Sequence, residues 1–207
     1  MSLVGLMVAA LAAAAPAEIT QPQAPSPASA PAPRPQVPNT GSAPAPRAQG
    51  PEVALETTEG TFVIRLLPAV APNHVALFLK TAKAGGYDGT TFHRVIAGGI
   101  IQGGDPLSKD PKNAARYGTG GLGLLKAEFS DRPFARGVVA AARKQSSNDS
   151  GGVQFFVVLR EQPSLLGQYT IFGEVAEGME VVDKIGATPV EGEKPKARIE
   201  IKKATAR

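Results

Sequence analysis

The 207-residue chain has no cysteine and no tryptophan, and only two histidines, His74 and His93. Without cysteine there is no disulfide framework, no thiol nucleophile and no cysteine-liganded zinc. Two histidines exclude a histidine-rich metal cluster. Charge is sparse at 19% of residues, and the net +4, from 22 basic and 18 acidic side chains, is scattered rather than gathered in a block. That argues against a dedicated nucleic-acid binder. What the chain does have is 19 prolines and 23 glycines, and their placement sets its organisation.

Eleven of the prolines fall between Pro16 and Pro51, among Ala, Ser and Gln with almost no large apolar residue. Such a segment buries too little to offset chain entropy, and proline biases it toward extended polyproline II, so residues 18–51 read as a semi-rigid, disordered Pro/Ala-rich linker. A ligand for a proline-recognising module is the other reading. Ahead of it, Leu3 to Ala15 is an unbroken apolar run followed by Ala15-Pro16-Ala17, an A-x-A-like cleavage site. Residues 1–17 therefore read as a secretory signal peptide, too short for a comfortable membrane span. No Lys or Arg precedes the run, which leaves an atypical signal or a start further upstream as alternatives. The expectation is an exported protein, periplasmic or secreted, without stable membrane insertion once the leader is cleaved and tethered to the membrane if it is not. Residues 52–207 are long enough for one domain with a sizeable core.

The periodicity of that domain is mostly two. Val53, Leu55 and Thr57 alternate with Ala54, Glu56 and Thr58, Glu59-Gly60 signals a turn, and Thr61 to Leu67 forms a second extended run. Pro72 is placed to start a helix; Val75, Phe78, Leu79 and Ala82 follow at helical spacing until Gly85-Gly86 stops it. Further strand-like runs are residues 91–96, 100–103, 137–142, 153–159, 169–175 and 197–203, with a short helix at 179–185. Many short strands, Gly-rich turns and two helices predict a mainly β protein, a closed or nearly closed antiparallel barrel.

Gly118, Gly120 and Gly123 satisfy G-x-G-x-x-G, but no strand precedes them and no helix follows, so a flexible loop is the better reading than a dinucleotide site. Ser146, Ser147 and Ser150 near Asp149 lack a nucleophile elbow. Two segments stand out: Phe92-His93-Arg94-Val95-Ile96 followed by Gln102-Gly103-Gly104-Asp105, and Gln154-Phe155-Phe156-Val157-Val158. Alternation puts Phe92, Arg94 and Ile96 on one face, a basic residue among apolar ones. By itself Arg94 is more often a structural ion-pair partner than a catalytic group. Phe155 and Phe156 read as core on one face and an exposed aromatic on the other.

At these residues the chain resembles the cyclophilin family of peptidyl-prolyl cis-trans isomerases, in its bacterial, exported type. The likeness runs from Glu52 to Lys203 and includes Tyr87 to Ile96, Gln102 to Asp105, Gly118-Thr119-Gly120-Gly121, Gln154-Phe155-Phe156 and Gln168 to Gly173. The resemblance implies a closed eight-stranded antiparallel barrel capped by two helices, and isomerase activity on Xaa-Pro bonds that assists protein folding. It makes Arg94 the catalytic arginine and Gln102 the glutamine that orients it and binds the substrate backbone. Ile100, Phe156 and Leu165 become walls of a proline pocket, and Ala142, Arg143 and Gln154 peptide contacts. Phe92, His93, Gly99 and Tyr169 complete the implied binding set. Neither cofactor nor metal is called for, the partners are proline-containing polypeptide clients, and the protein is expected to be a monomer.

The chain departs from the family pattern at three places. Gly99 stands where the family has a pocket phenylalanine, Val153 replaces a small polar residue, and Ser164 lies where cyclosporin-sensitive members carry tryptophan. The first keeps a rival open: a non-catalytic proline-peptide binding or chaperone module on the same scaffold.

Overall fold

The computed structural model describes residues 50–207. The leader and most of the linker read from the sequence lie outside the described residues. The alternating opening run folds as β1 (Glu52–Thr57) and β2 (Gly60–Leu66), paired from Glu52↔Arg65 to Thr57↔Gly60. The tight turn is closed by Thr57 Oγ1, which donates to the Gly60 carbonyl and accepts from Glu59 N–H.

Helix α1 (Pro72–Lys83) starts on the proline, whose missing N–H costs nothing at that position, and ends with Lys80 and Lys83 against the negative end of the helix dipole. It buries Val75, Phe78 and Ala82. Next come β3 (Phe92–Ile96), β4 (Ile100–Gly103), β5 (Val138–Ala141), β6 (Phe155–Val158), β7 (Ile171–Glu177) and α2 (Met179–Gly186). A small hairpin, β8 (Val190–Glu191) with β9 (Lys194–Pro195), precedes β10 (Ile201–Ala206).

Eight strands form one antiparallel sheet in the order β10-β1-β2-β7-β5-β6-β4-β3. The expected eight-stranded sheet and two principal helices are present, but the sheet is a curled half-barrel rather than a barrel closed by a full ladder. Its end strands meet only near the bridge Thr91↔Glu200, flanked by Phe92 N–H to Ile199 C=O and Ile201 N–H to Thr90 C=O. The hairpin at 190–195 and the 3-10 turns at Pro106–Lys109, Pro111–Arg116 and Pro163–Leu165 have no counterpart in the sequence reading.

β5 and β6 are apolar throughout and buried on both faces. Their inner residues, Val139, Ala141, Phe155 and Val157, join Phe62, Phe78, Tyr87 and Phe92 in the main core. Their outer residues, Val138, Ala140, Phe156 and Val158, join Leu67, Phe134, Ala142 and Ile171 in a second cluster. An apolar outer face is unusual for an antiparallel sheet, and its Phe156, with Ala142 beside it, lines the cleft described next.

Candidate active site

Register assembles the site. Arg94 on β3 lies opposite Gln102 on β4, Gln102 opposite Phe156 on β6, and Phe156 opposite Ala140 on β5. Residues directly opposite one another share a face, so a guanidinium, an amide and an aromatic ring stand in one row. Ile96, Ile100 and Val158 make a parallel row. From these rows Arg94, Gln102, Phe156, Ile96 and Ile100 line a cleft of about 650 Å³ whose rim includes Tyr117, Arg143, Leu165 and Tyr169.

Phe92 is not in this cleft. The expectation that Phe92, Arg94 and Ile96 share a face fails because the β3–β4 register shifts between Phe92 and Arg94. His93 is the extra residue of a bulge. The shift turns Phe92, 1% exposed, into the main core against Phe62 and Phe155, while Arg94 and Ile96 keep the outer face. His93 joins the cleft wall edge-on to Tyr117. Burial lowers its pKa, with the charge of Asp105 partly opposing, which favours the neutral imidazole.

Gln154 also differs from its expected place. It is fully buried and outside the cleft lining, and it supports Gln102 from behind. Arg94 Nη1 donates to Gln102 Oε1 at 3.3 Å, Gln102 Nε2 to Gln154 Oε1 at 3.0 Å, and Gln154 Nε2 to the Gly120 carbonyl at 2.6 Å. A guanidinium can only donate, so Gln102 must turn its oxygen to Arg94 and its amide to Gln154, and Gln154 must follow suit. The chain ends in the glycine loop. There the buried Asp105 carboxylate accepts from Gly118 N–H at 2.5 Å, Gly120 N–H at 3.3 Å and Leu107 N–H at 2.8 Å. The amides of the first two glycines of G-x-G-x-x-G thus face a carboxylate of the chain itself, and a Cβ at Gly120 would come within 2.3 Å of Asp105 Oδ1.

The remaining candidates, Gly99, Ile100, Ala142, Arg143, Phe156, Leu165 and Tyr169, all line the cleft. Phe156 is backed by Phe134, stacked at 6.5 Å, and met edge-on by Tyr169 at 5.2 Å. Arg143 lies 4.7 Å over the Tyr169 ring and donates from Nε to the Gln168 carbonyl. Ser164 is exposed on its 3-10 turn, and Val153 packs against the main core. Sequence reasoning missed Phe134, which supports the aromatic wall, and Glu193, whose carboxylate accepts from Arg94 Nε at 2.5 Å. That hydrogen bond, joined by the positive charge of Arg94 and only partly opposed by burial, holds the Glu193 carboxyl below its ordinary pKa. Neither had a signal beyond chain position, because both reach the site through long-range packing. Among the described residues no cluster of His, Asp and Glu could hold a metal ion.

Residues 52–206 match the family described as cyclophilin type peptidyl-prolyl cis-trans isomerase/CLD. A probable peptidyl-prolyl cis-trans isomerase of Brucella suis is 45% identical over 138 residues, 64% of this chain and 70% of that protein. Peptidyl-prolyl cis-trans isomerase B of Bacillus subtilis is 43% identical over 116 residues, 56% of this chain and 76% of that protein. A crystal structure of a Cryptosporidium parvum cyclophilin type isomerase, obtained in the presence of the dipeptide Ala-Pro, superposes with a TM-score of 0.68 at 29% identity. It covers 75% of this chain and 98% of its own.

Proposed function

The chain belongs to the cyclophilin-type peptidyl-prolyl cis-trans isomerases and catalyses rotation about Xaa-Pro bonds, and on that premise we propose that Arg94 lowers the barrier and that the clients are exported proteins. The amide barrier of about 18–20 kcal/mol exists because nitrogen donates its lone pair into the carbonyl. As the bond twists, the prolyl nitrogen becomes pyramidal and regains that pair. A donor aimed at it binds the twisted state better than the planar one, and only such differential binding speeds the chemical step. An acceleration of about five orders of magnitude takes roughly 7 kcal/mol off the barrier.

The observation that carries this reading is the placement of Arg94 on the row that continues through Gln102 to Phe156. Nε and Nη1 are engaged, and among the described residues Nη2 makes no hydrogen bond. A proline ring against Phe156, Ile100 and Leu165 puts its nitrogen toward that donor. Gln102 positions the guanidinium, Gln154 positions Gln102, and Ala142 and Arg143 offer contacts to the peptide on either side. A guanidinium stays charged without pKa tuning, and the rotation transfers no proton. The family match and this intact donor row favour catalysis over the binding-module alternative.

Export rests on the apolar run Leu3–Ala15 and the Ala15-Pro16-Ala17 site; among the described residues no helix is long and apolar enough to cross a membrane. A monomer suffices, since a single chain supplies every side chain of the cleft. Arg94→Ala is expected to lose at least about 100-fold in kcat/KM, roughly 2.7 kcal/mol of transition-state stabilisation, with its circular dichroism unchanged. Wild-type turnover of a short Xaa-Pro peptide by that variant would remove Arg94 from the role. Recovery of the full-length chain only in the cytoplasmic fraction would overturn export.

A further inference from the structure

Arg94 is held by two partners of different kinds. Gln102 belongs to the same sheet, but its 3.3 Å contact fixes a single point on a long side chain that is 41% exposed. One point leaves the guanidinium free to swing about it. The second point comes from Glu193, 99 residues away in sequence, at Nε. Two contacts on adjacent edges of a planar group fix its plane and the direction of the remaining edge.

The delivery of Glu193 is built into the backbone. β8 and β9 pair at Val190↔Pro195 and Glu191↔Lys194, leaving Gly192 and Glu193 as a two-residue loop. Gly192 takes the left-handed conformation at φ 63°, with space around it where a Cβ would be. The Glu193 carbonyl accepts from Val95 N–H at 2.7 Å. The loop is therefore attached to consecutive residues of β3, by main chain at Val95 and by side chain at Arg94. As an ion pair at the open lip, with Glu193 53% exposed, the contact contributes little to stability. Its effect is on the direction of Arg94.

We propose that Glu193 is a positioning residue for the isomerisation: it fixes the Nε edge of Arg94 and so leaves Nη2 as the donor presented to the prolyl nitrogen. This rests on the reading of Arg94 as the donor. The role is one of orientation, and a small misplacement of a reacting group is enough to cost a large factor in rate.

The test measures kcat and KM separately on a Xaa-Pro peptide for Glu193→Ala, Glu193→Gln, Arg94→Ala and the double alanine variant, with the Arg94 Nε–H resonance followed by NMR. Glu193→Ala is expected to lower kcat about tenfold with KM within about twofold and melting temperature unchanged, and to shift the Nε–H signal upfield. Glu193→Gln keeps an acceptor oxygen and should recover most of the rate. In the Arg94→Ala background, Glu193→Ala should change nothing further. A full loss in Arg94→Ala with wild-type or raised kcat in Glu193→Ala overturns the positioning role alone. An additive loss in the double variant, or a loss confined to KM, overturns it too. Wild-type activity in Arg94→Ala removes the donor reading itself.

Discussion

At residue scale the open question is the gap at Gly99. A glycine can be present because the backbone requires it, but here the left-handed position of the turn after β3 is Gly98, at φ 64°, and Gly99 is outside that region. Gly99 N–H donates to the Ile96 carbonyl and its own carbonyl accepts from Leu159 N–H, bonds that any residue could make. A Cβ there would lie 3.0 Å from Ile96 Cγ2, a contact relieved by a few tenths of an ångström in a half-buried side chain. Fully burying a phenylalanine is worth roughly 1.5–3 kcal/mol, only part of which is realised against one proline ring. Gly99→Phe is therefore expected to raise kcat/KM severalfold through a lower KM, because a pocket wall holds ground and transition states alike. Kinetics and thermal melts on the same sample check it: a fall in both activity and melting temperature means that the space is already filled.

At the scale of elements, helix α1 shows what one sequence cannot reveal. Its start on Pro72 and its buried stripe are local features and were legible. Its N-terminal cap is not local: Ala71 offers no side-chain acceptor, and the amides of Asn73 and His74 donate instead to the two oxygens of Glu128, more than 50 residues on. Glu128 also accepts from Asn73 Nδ2 and contacts His74 Nδ1 at 2.5 Å. Burial alone would raise its pKa, but these bonds outweigh it and the net shift is downward. A depressed carboxyl stabilises the fold above its unfolded pKa and loses that contribution as pH falls through the lower folded value. Glu128→Ala should thus cost about 1–2 kcal/mol near neutral pH, as for loss of a cap, and the difference from wild type should shrink below about pH 4. Denaturant melts of both proteins at pH 7 and pH 3 measure it; a difference that persists undiminished in acid would refute the cap. The strands were legible for the same reason as α1, since alternation is local. The bulge at His93, the 190–195 hairpin and the partnership of Glu193 with Arg94 arise from pairings between distant segments, and no local pattern encodes those. Arg94, Gln102 and Phe156 were found through the family resemblance, whereas spacing alone favoured a structural ion-pair part for Arg94.

At the scale of the whole molecule, the described fold begins where the sheet needs it to. Pro51 C=O accepts from Leu66 N–H, and a Cβ at Gly50 would collide with the Leu66 carbonyl, so the chain is already seated on β2 before β1 begins. At the other end Arg207 N–H donates to Glu52 C=O, which ties β10 to the first residue of β1. Every residue that lines the cleft lies between His93 and Lys194. A chain starting at Gly50 should therefore keep kcat/KM within about twofold and its melting temperature within about 2 °C, on the scale where 1 kcal/mol moves a domain of this size by some 2–4 °C. Starting at Gly60 is a different experiment. It removes Val53 and Leu55, both fully buried, and strips β1 from between β10 and β2. Those two side chains alone represent about 3–6 kcal/mol, a large share of the 5–15 kcal/mol typical of a folded domain, and two strand edges would be left unpaired. The shorter chain should fail to give a cooperative melt. If instead the Gly50 start lost stability and activity together, the preceding linker would be part of the working enzyme; if the Gly60 start melted like wild type, the sheet would not depend on β1 as its register requires.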